Sequence, residues 1–410
     1  MQKVGLTDLY TPKQIKVLKT AVTKDWRFMI NHGAKRSGKT VIDNDLFLME
    51  LKRVRRLANA ADVKVPMYIL AGFSSKSIQN NILQELTNKY GFEFTFDKHN
   101  SFMLFGVKVV QTFTGTIAGL GAIRGMTAWG AYINEASLAN REVFEEIKDR
   151  CSATGARIIG DTNPDNPNHY LKTDYIDNDD PKARIYSFHF SIDDNTFLDS
   201  KYVESQKAGT PSGMFYDRSI KGLWVSGEGA VYRDFDERTM VEEHIDLPPG
   251  ANVYCGVDWG YEHKGSIVVL ADDANGNTIL LEEHTKQYKE IDYWVGVAKE
   301  IQRKYGKSIP FYADSARPEH CARFVREDID CKYGNKAKLS GIEAVAKLIK
   351  QGAFFVSRDT TTSFFDEIYV YVWDPKTGEP VKINDDVMDA IRYAIYTHHH
   401  VTSKITTFKA

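Results

Sequence analysis

The run Gly33-Ala34-Lys35-Arg36-Ser37-Gly38-Lys39-Thr40 has the spacing G-x-x-x-x-G-K-T of a phosphate-binding loop. Glycines at its ends let backbone N–H groups close around phosphate oxygens, and a helix N-terminus behind them adds its positive end. Lys39 would neutralise the outer phosphates of a nucleoside triphosphate, and the Thr40 hydroxyl would ligate Mg²⁺. Gly33, Ser37 and Gly38 shape the loop, with Lys35 and Arg36 as further cations. Far downstream stand Asp258, Asp314 and the pair Asp386/Asp389. Gathered carboxylates repel one another, so such a set requires cations. Two Mg²⁺ or Mn²⁺ ions held there would activate water and stabilise the leaving oxygen of a phosphodiester.

Other residues fit the first chemistry. Ala131-Tyr132-Ile133-Asn134-Glu135 is an apolar strand with a polar end. Glu135 is placed to polarise an attacking water. Asn134 stands where an aspartate usually supports Mg²⁺; its carbonyl can orient a metal-bound water but adds no charge. In Gly160-Asp161-Thr162-Asn163-Pro164, Thr162 and Asn163 end the next strand and could report nucleotide state to a neighbouring element. Gln14 either reads an adenine edge or is solvated. Arg124 either reaches a developing charge across a subunit boundary or makes an ordinary salt bridge.

The positioning elements follow from periodicity. Trp26–Ile30 reads as a strand, Val41–Ala58 as a helix, Met67–Ala71 as a strand and Ser77–Tyr90 as a helix. Ser101–Phe113 alternates like a hairpin, and Arg157–Gly160 is another apolar strand. Strands alternating with helices predict an α/β domain with a mainly parallel sheet covered on both faces. Breakers at 227–250 predict a linker, dividing the chain into domains at 1–226 and 251–410. In the second domain Val253–Asp258 and Ile309–Asp314 are strands ending in acids, a hairpin lies between them, and Asp386 and Asp389 share a helix face at i and i+3. Strand-Asp, hairpin, strand-Asp, helix-Asp is the order of a ribonuclease-H-like fold. His398-His399-His400 is either a metal-binding run or a solvated helix end, and the Phe354-Phe355 and Phe364-Phe365 pairs read as core.

Composition sets the class. The 410 residues suffice for two or three domains, and a net charge of −2 argues against a wholly basic nucleic-acid binder while permitting a local basic groove. The four cysteines form no C-x-x-C pair, which argues against zinc and a disulfide framework and for a reducing compartment. No stretch approaches the roughly 20 apolar residues of a membrane span, and Met1–Gly5 lacks a signal-peptide core. A soluble protein without membrane association is expected.

Taken together, Gly33–Thr40, Tyr132–Ala136, Asp161–Pro164, Gly256–Gly260, Ala313–Ala316 and Asn384–Tyr393 resemble, in this order and over nearly the whole chain, the large terminase subunits of tailed bacteriophages and prophages. The resemblance implies a RecA/ASCE-like P-loop ATPase domain followed by a ribonuclease-H-like nuclease domain. It implies an ATP-driven motor that moves double-stranded DNA into a procapsid, and an endonuclease that cuts concatemers with Mg²⁺ or Mn²⁺. It further implies a portal and a small terminase subunit as partners, a ring of copies when assembled, and the host cytoplasm as location. Arg124 would match, by its spacing before Glu135, an arginine acting in trans in that ring, and Thr162-Asn163 would couple hydrolysis to movement. Asp258, Asp314 and Asp386 or Asp389 would hold the nuclease metals; many relatives carry histidine at the Asp386 position. A repair or restriction helicase-nuclease shares both chemistries but wants a second motor lobe, and a nucleotide-binding scaffold would not need Glu135.

Overall fold

Phe28–Gly33 (β1) is buried at all six positions, the signature of a strand covered on both faces. The chain is described here from a computed structural model, which covers the backbone of residues 5–406 and the side chains of residues 5–400. In the first unit β1 is joined by Met67–Gly72 (β2), Ser101–Leu104 (β3), Val107–Phe113 (β4), Ala128–Ile133 (β5), Arg157–Thr162 (β6) and Ile185–Phe190 (β7). The strand order is β3-β4-β2-β5-β6-β1-β7. Every pairing is parallel except the β3–β4 hairpin.

Alternate side chains leave this sheet on opposite faces. Met29, Tyr68, Leu70, Tyr132 and Ile159 pack with Ile42, Leu46, Phe47, Leu51 and Val54 of the helix Lys39–Ala60. Phe28, Ile30, Ile69, Ala71, Ile133 and Ile158 pack on the other side with Val143, Phe144 and Ile147 of the helix Arg141–Arg150. Each fully buried Leu, Ile or Phe contributes about 1.5–3 kcal/mol over an exposed one, so the two cores hold the sheet rigid beneath its carboxyl edge. That edge carries the polar ends of β1, β5 and β6, the position where open α/β sheets bind ligands. The 77–90 segment is helical throughout: the helix runs from Ser75 to Tyr90 with a π-turn at Gln79–Leu83 inside it.

The second unit holds Val241–Glu242 (β8), Asn252–Asp258 (β9), Gly265–Asp272 (β10), Thr278–Lys286 (β11), Phe311–Ala313 (β12), Cys331–Tyr333 (β13) and Phe354–Ser357 (β14). Its order is β13-β12-β9-β10-β11-β14-β8. β9, β10 and β11 form an antiparallel meander, while β12 runs parallel to β9. One face packs Val253, Cys255 and Val257 against Trp294, Val297, Ala298 and Ile301 of the helix Ile291–Tyr305 and Phe324 of Pro318–Arg326. The helix Asp386–Thr406 packs on β9, β10 and β12.

Residues 227–250 belong to this unit, since Val231, Tyr232 and Met240 are buried and β8 pairs with β14. The short stretch Ala208–Phe215 belongs to it as well. Ser212 donates through its N–H and hydroxyl to Asp234, and Phe215 meets Trp373 edge-on at 6.1 Å. Gly and Pro around an acidic stretch mark turns, and turns occur inside a folded unit as readily as between two. Among the described residues no helix is long and apolar enough to cross a membrane.

Candidate functional site

The phosphate loop is shaped by backbone constraints that only glycine meets. At Gly33 φ is 138°, and a Cβ there would lie 1.9 Å from the Phe190 carbonyl oxygen. Gly38, at φ 89°, is the N-cap of the helix Lys39–Ala60. The buried Lys39 ammonium donates to the carbonyls of Gly33 (2.9 Å) and Ala34 (2.5 Å) and to Asn163 Oδ1 (3.3 Å). Burial pushes its pKa down to about 8, while the charges of Asp161 and Asp43 push it back up. Gln14 accepts from the Thr11 N–H (2.8 Å) and donates to the Gly38 carbonyl (2.9 Å). Both ends of its amide therefore brace the loop, and it does not line the cavity.

That cavity, of about 630 Å³, is lined by Lys35 to Thr40 and by Asn134, Glu135, Asp161, Thr162 and Asn163. The parallel sheet brings these together: Asn31 lies opposite Asp161, and Ile133 opposite Gly160. Glu135 adopts the left-handed conformation (φ 55°), uncommon for a residue with a Cβ. Burial, and then Asp161, raise its carboxyl pKa, which makes it a readier proton acceptor. The Thr162 hydroxyl donates to Ser137 Oγ (2.6 Å), two residues past Glu135, while Asn163 reaches Lys39. Thr162 and Asn163 thus touch both halves of the site. Arg124 is exposed, lines no part of this cavity and makes no ion pair among the described residues.

Two carboxylates here carry no role in the sequence reading. Asp161, almost fully buried, accepts from Tyr132 OH (3.0 Å), Asn134 Nδ2 (2.8 Å) and the Glu135 N–H (2.9 Å). Asp43, fully buried, accepts from Asn31 Nδ2 (2.6 Å), and burial followed by the Asp161 charge raises its pKa well above the usual range. A charged residue on the apolar face of the helix, next to Ile42, was the available signal.

The second unit assembles its acids by register. β12 pairs with β9 so that the Asp314 N–H donates to the Val257 carbonyl (3.0 Å), which sets Asp314 beside Asp258. Gly256 admits the helix Asp386–Thr406 against β9: a Cβ there would lie 2.0 Å from the Ala390 carbonyl oxygen. Glu367, fully buried, accepts from the Val387 N–H (2.8 Å) and the Met388 N–H (3.2 Å), capping the first turn of that helix. Burial, then the charges of Asp389, Asp386, Asp314 and Asp385, raise the Asp258 carboxyl well above its usual range.

Three of the acids face a side chain of the protein, two of them a cation. Lys336 lies 2.9 Å from Asp314, His263 3.3 Å from Asp386, and the buried Arg392 3.0 Å from Asp389. Among the described residues no three His, Cys, Asp or Glu side chains form a ready-made metal cage. The residue types still suit hard cations, which take carboxylate oxygens.

The histidine run continues the helix and has structural partners. His398 stacks on Tyr254 (3.9 Å between centroids) and hydrogen-bonds Asn252 and Tyr312, and His399 meets Asp272 at 3.0 Å. Phe354 and Phe364 are core residues. The four cysteines are free thiols.

Comparison with known proteins bears on these sites. The family model described as "Terminase large subunit, T4likevirus-type, N-terminal" matches residues 33–239, half of the chain, beginning at the first loop glycine. The large terminase subunits of Enterobacteria phage LP7 and Salmonella phage P22 are each 27% identical over 194 residues, 42% of this chain. Those matches span only 38% and 36% of the two relatives' lengths. A crystal structure of the large terminase from a thermophilic bacteriophage superposes with a TM-score of 0.79 at 22% identity, covering 94% of this chain and 98% of that one. The same protein in complex with ADP gives 0.77 at 23% identity, with the same coverage. The likeness to the thermophilic phage protein is one of fold, whereas the family model reaches the sequence itself: this chain belongs to the terminase large subunit family.

Proposed function

We propose that the chain is an ATP-driven motor that moves double-stranded phage DNA into a procapsid and cuts that DNA with a metal-dependent nuclease. The observation that carries the first half is the cavity in which Lys39, Thr40 and Glu135 face one another. Lys39 would bind the outer phosphates, Thr40 would support Mg²⁺, and Glu135 would take the proton of the attacking water. Thr162 and Asn163, bonded to Ser137 and Lys39, are the candidates for passing the loss of a phosphate on to the rest of the unit. The large terminase of the thermophilic phage has been crystallised with ADP and with ATP-gamma-S, which supports nucleotide binding here.

The second half rests on the acids around Asp258. The order β11-β10-β9-β12-β13, an antiparallel meander extended by parallel strands, supports a ribonuclease-H-like reading. Asp258, Asp314 and Asp386 or Asp389 would hold Mg²⁺ or Mn²⁺ through carboxylate oxygens. Such ions supply an activated water and a stabilised leaving oxygen. Asp258 anchors the set from a rigid strand, and Glu367 fixes the turn bearing Asp386. The reading extends to a ring of copies on a portal, a small terminase subunit as partner, Arg124 acting across the ring, and the host cytoplasm as location.

The test is a pair of assays on one purified chain: DNA-stimulated ATP hydrolysis, and plasmid cleavage in Mn²⁺, Mg²⁺ or EDTA. Lys39→Ala should lower the first by about 100-fold or more and spare the second, and Asp258→Ala the reverse. Loss of both activities in either variant would sink the two-site reading.

A further inference from the structure

Position 134, just past β5, offers a nucleotide-bound cation no charge, and the neighbouring strand places a carboxylate beside it. Asn134 uses both ends of its amide: Nδ2 donates to Asp161 Oδ1 (2.8 Å), and Oδ1 accepts from Asn81 Nδ2 (3.0 Å). Asp161 stands on the neighbouring parallel strand and lines the same cavity. It is only 2% exposed, and its three donors come from Tyr132, Asn134 and the Glu135 backbone, the segment that ends in the proposed base. A carboxylate held this firmly is preorganised, since its orientation is set before any ligand arrives.

We propose that Asp161 supplies the carboxylate of the Mg²⁺–nucleotide site, the charge having moved one strand over from position 134. The inference rests on the nucleotide-hydrolysis reading above. Mg²⁺ bound to a nucleotide takes most of its ligands from water and phosphate and needs one or two carboxylates from the protein. Asp161 meets that need from the cavity wall, directly or through a bound water. Asp43 is a poorer candidate, because it lies outside the cavity lining and hydrogen-bonds Asn31 beneath it. Asn134 then acts as a positioning residue: it steers Asp161 by one hydrogen bond and is itself held by Asn81.

The experiment is equilibrium binding of a fluorescent ATP analogue to the full chain, with Mg²⁺ and in EDTA. The variants are Asp161→Asn, Asn134→Asp and the exchanged pair Asn134→Asp/Asp161→Asn. Asp161→Asn should lose the Mg²⁺-dependent gain in affinity by about tenfold or more, the scale of removing a group that supports a bound metal. Each variant is scored by the ratio of its affinities with Mg²⁺ and in EDTA, because Asp161 also supports the charge of Lys39 and its loss can shift the EDTA value itself. Asn134→Asp alone should give no gain, because it sets a second carboxylate against the first, and the exchanged pair should recover most of the wild-type gain. With Mn²⁺ in place of Mg²⁺, the electron paramagnetic resonance signal of the protein-bound ion should follow the same order. A full Mg²⁺-dependent gain in Asp161→Asn would overturn the proposal, as would a folded exchanged pair without it. Should Asp161→Asn not fold, the exchanged pair, which keeps one acid and one amide, decides alone. Absence of nucleotide binding by the wild type in both buffers would instead defeat the underlying reading.

Discussion

The loop at the end of β1 and the acids around Asp258 solve the problem of buried charge in opposite ways. The loop seats its cation on its own backbone: Lys39 donates to the Gly33 and Ala34 carbonyls. Among the acids, Asp314, Asp386 and Asp389 each pair with a separate side chain. One site is organised by backbone geometry, the other by the mutual charge of its acids. Substitutions should therefore act through sterics in the first and through charge in the second.

The largest effect expected from that contrast is at Gly33. Gly33→Ala drives a methyl group into the Phe190 carbonyl oxygen, and no side chain can move to relieve a backbone clash. A loss of about 3 kcal/mol or more is expected, measured by urea unfolding. A variant as stable as wild type would show that the loop relaxes easily and that its geometry is not what seats Lys39.

Next is the pH dependence of nucleotide binding. Lys39 titrates at about 8 in the fold against 10.5 for the free side chain. Between those values the unfolded state binds more protons, so this group makes stability rise with pH in that window. Phosphate affinity moves the other way, because the ammonium discharges as pH passes 8. Affinity for a triphosphate should fall about tenfold from pH 7 to pH 9, and Lys39→Arg should flatten the profile because guanidinium stays charged. Binding and stability falling together would point to general alkaline unfolding instead.

In the acid set the comparison predicts a reversal of sign. The Asp258 carboxyl is raised by burial and by its acidic neighbours, so in EDTA the folded state holds its proton more tightly than the unfolded one. Stability then falls as pH rises from the unfolded pKa through the folded one. Asp258→Asn removes that slope and should raise the EDTA melting midpoint at pH 7 by roughly 2–4 °C, the shift that about 1 kcal/mol gives in a domain of this size. In saturating Mn²⁺ the wild type should overtake it, since a ligand at 100 times its Kd adds about 2.7 kcal/mol. A lower midpoint for Asp258→Asn in both buffers would show that repulsion does not govern this site.

The same contrast explains what could be read in the sequence. The loop is legible because its geometry is local: eight consecutive residues set the turn, and helix periodicity around it gives 41–58 for an observed Lys39–Ala60. The acidic strand ends are legible for the same reason. Asp161 gains its place from the sheet order β5-β6-β1, a pairing between distant segments that no local pattern records. Gln14 reads as either a base contact or a solvated side chain because its spacing from the loop is visible while its bond to the Gly38 carbonyl is not. Glu367 and Arg392 act through a helix that docks on Gly256, and the joining of Ala208–Phe215 to the second unit depends on Asp234, 22 residues beyond Ser212 in a polar stretch.

The smallest effect separates the two cations that face the acids. Lys336 is about half exposed and pairs with Asp314 at the surface, whereas Arg392 is buried against Asp389. Exposed ion pairs contribute about 0–1 kcal/mol, so Lys336→Ala should leave the melting midpoint in EDTA nearly unchanged. It also removes a positive charge that competes with a metal for Asp314. Mn²⁺ affinity, followed by isothermal titration, should therefore rise about two- to threefold, an effect that fades in high salt as screening grows. Arg392→Ala would instead remove a buried guanidinium, leave the half-buried Asp389 unpaired and cost stability before any metal is added. If Lys336→Ala weakens Mn²⁺ binding, the lysine supports the metal site rather than competing for Asp314, and the view of these acids as a set governed by mutual charge has to be redrawn around Asp314.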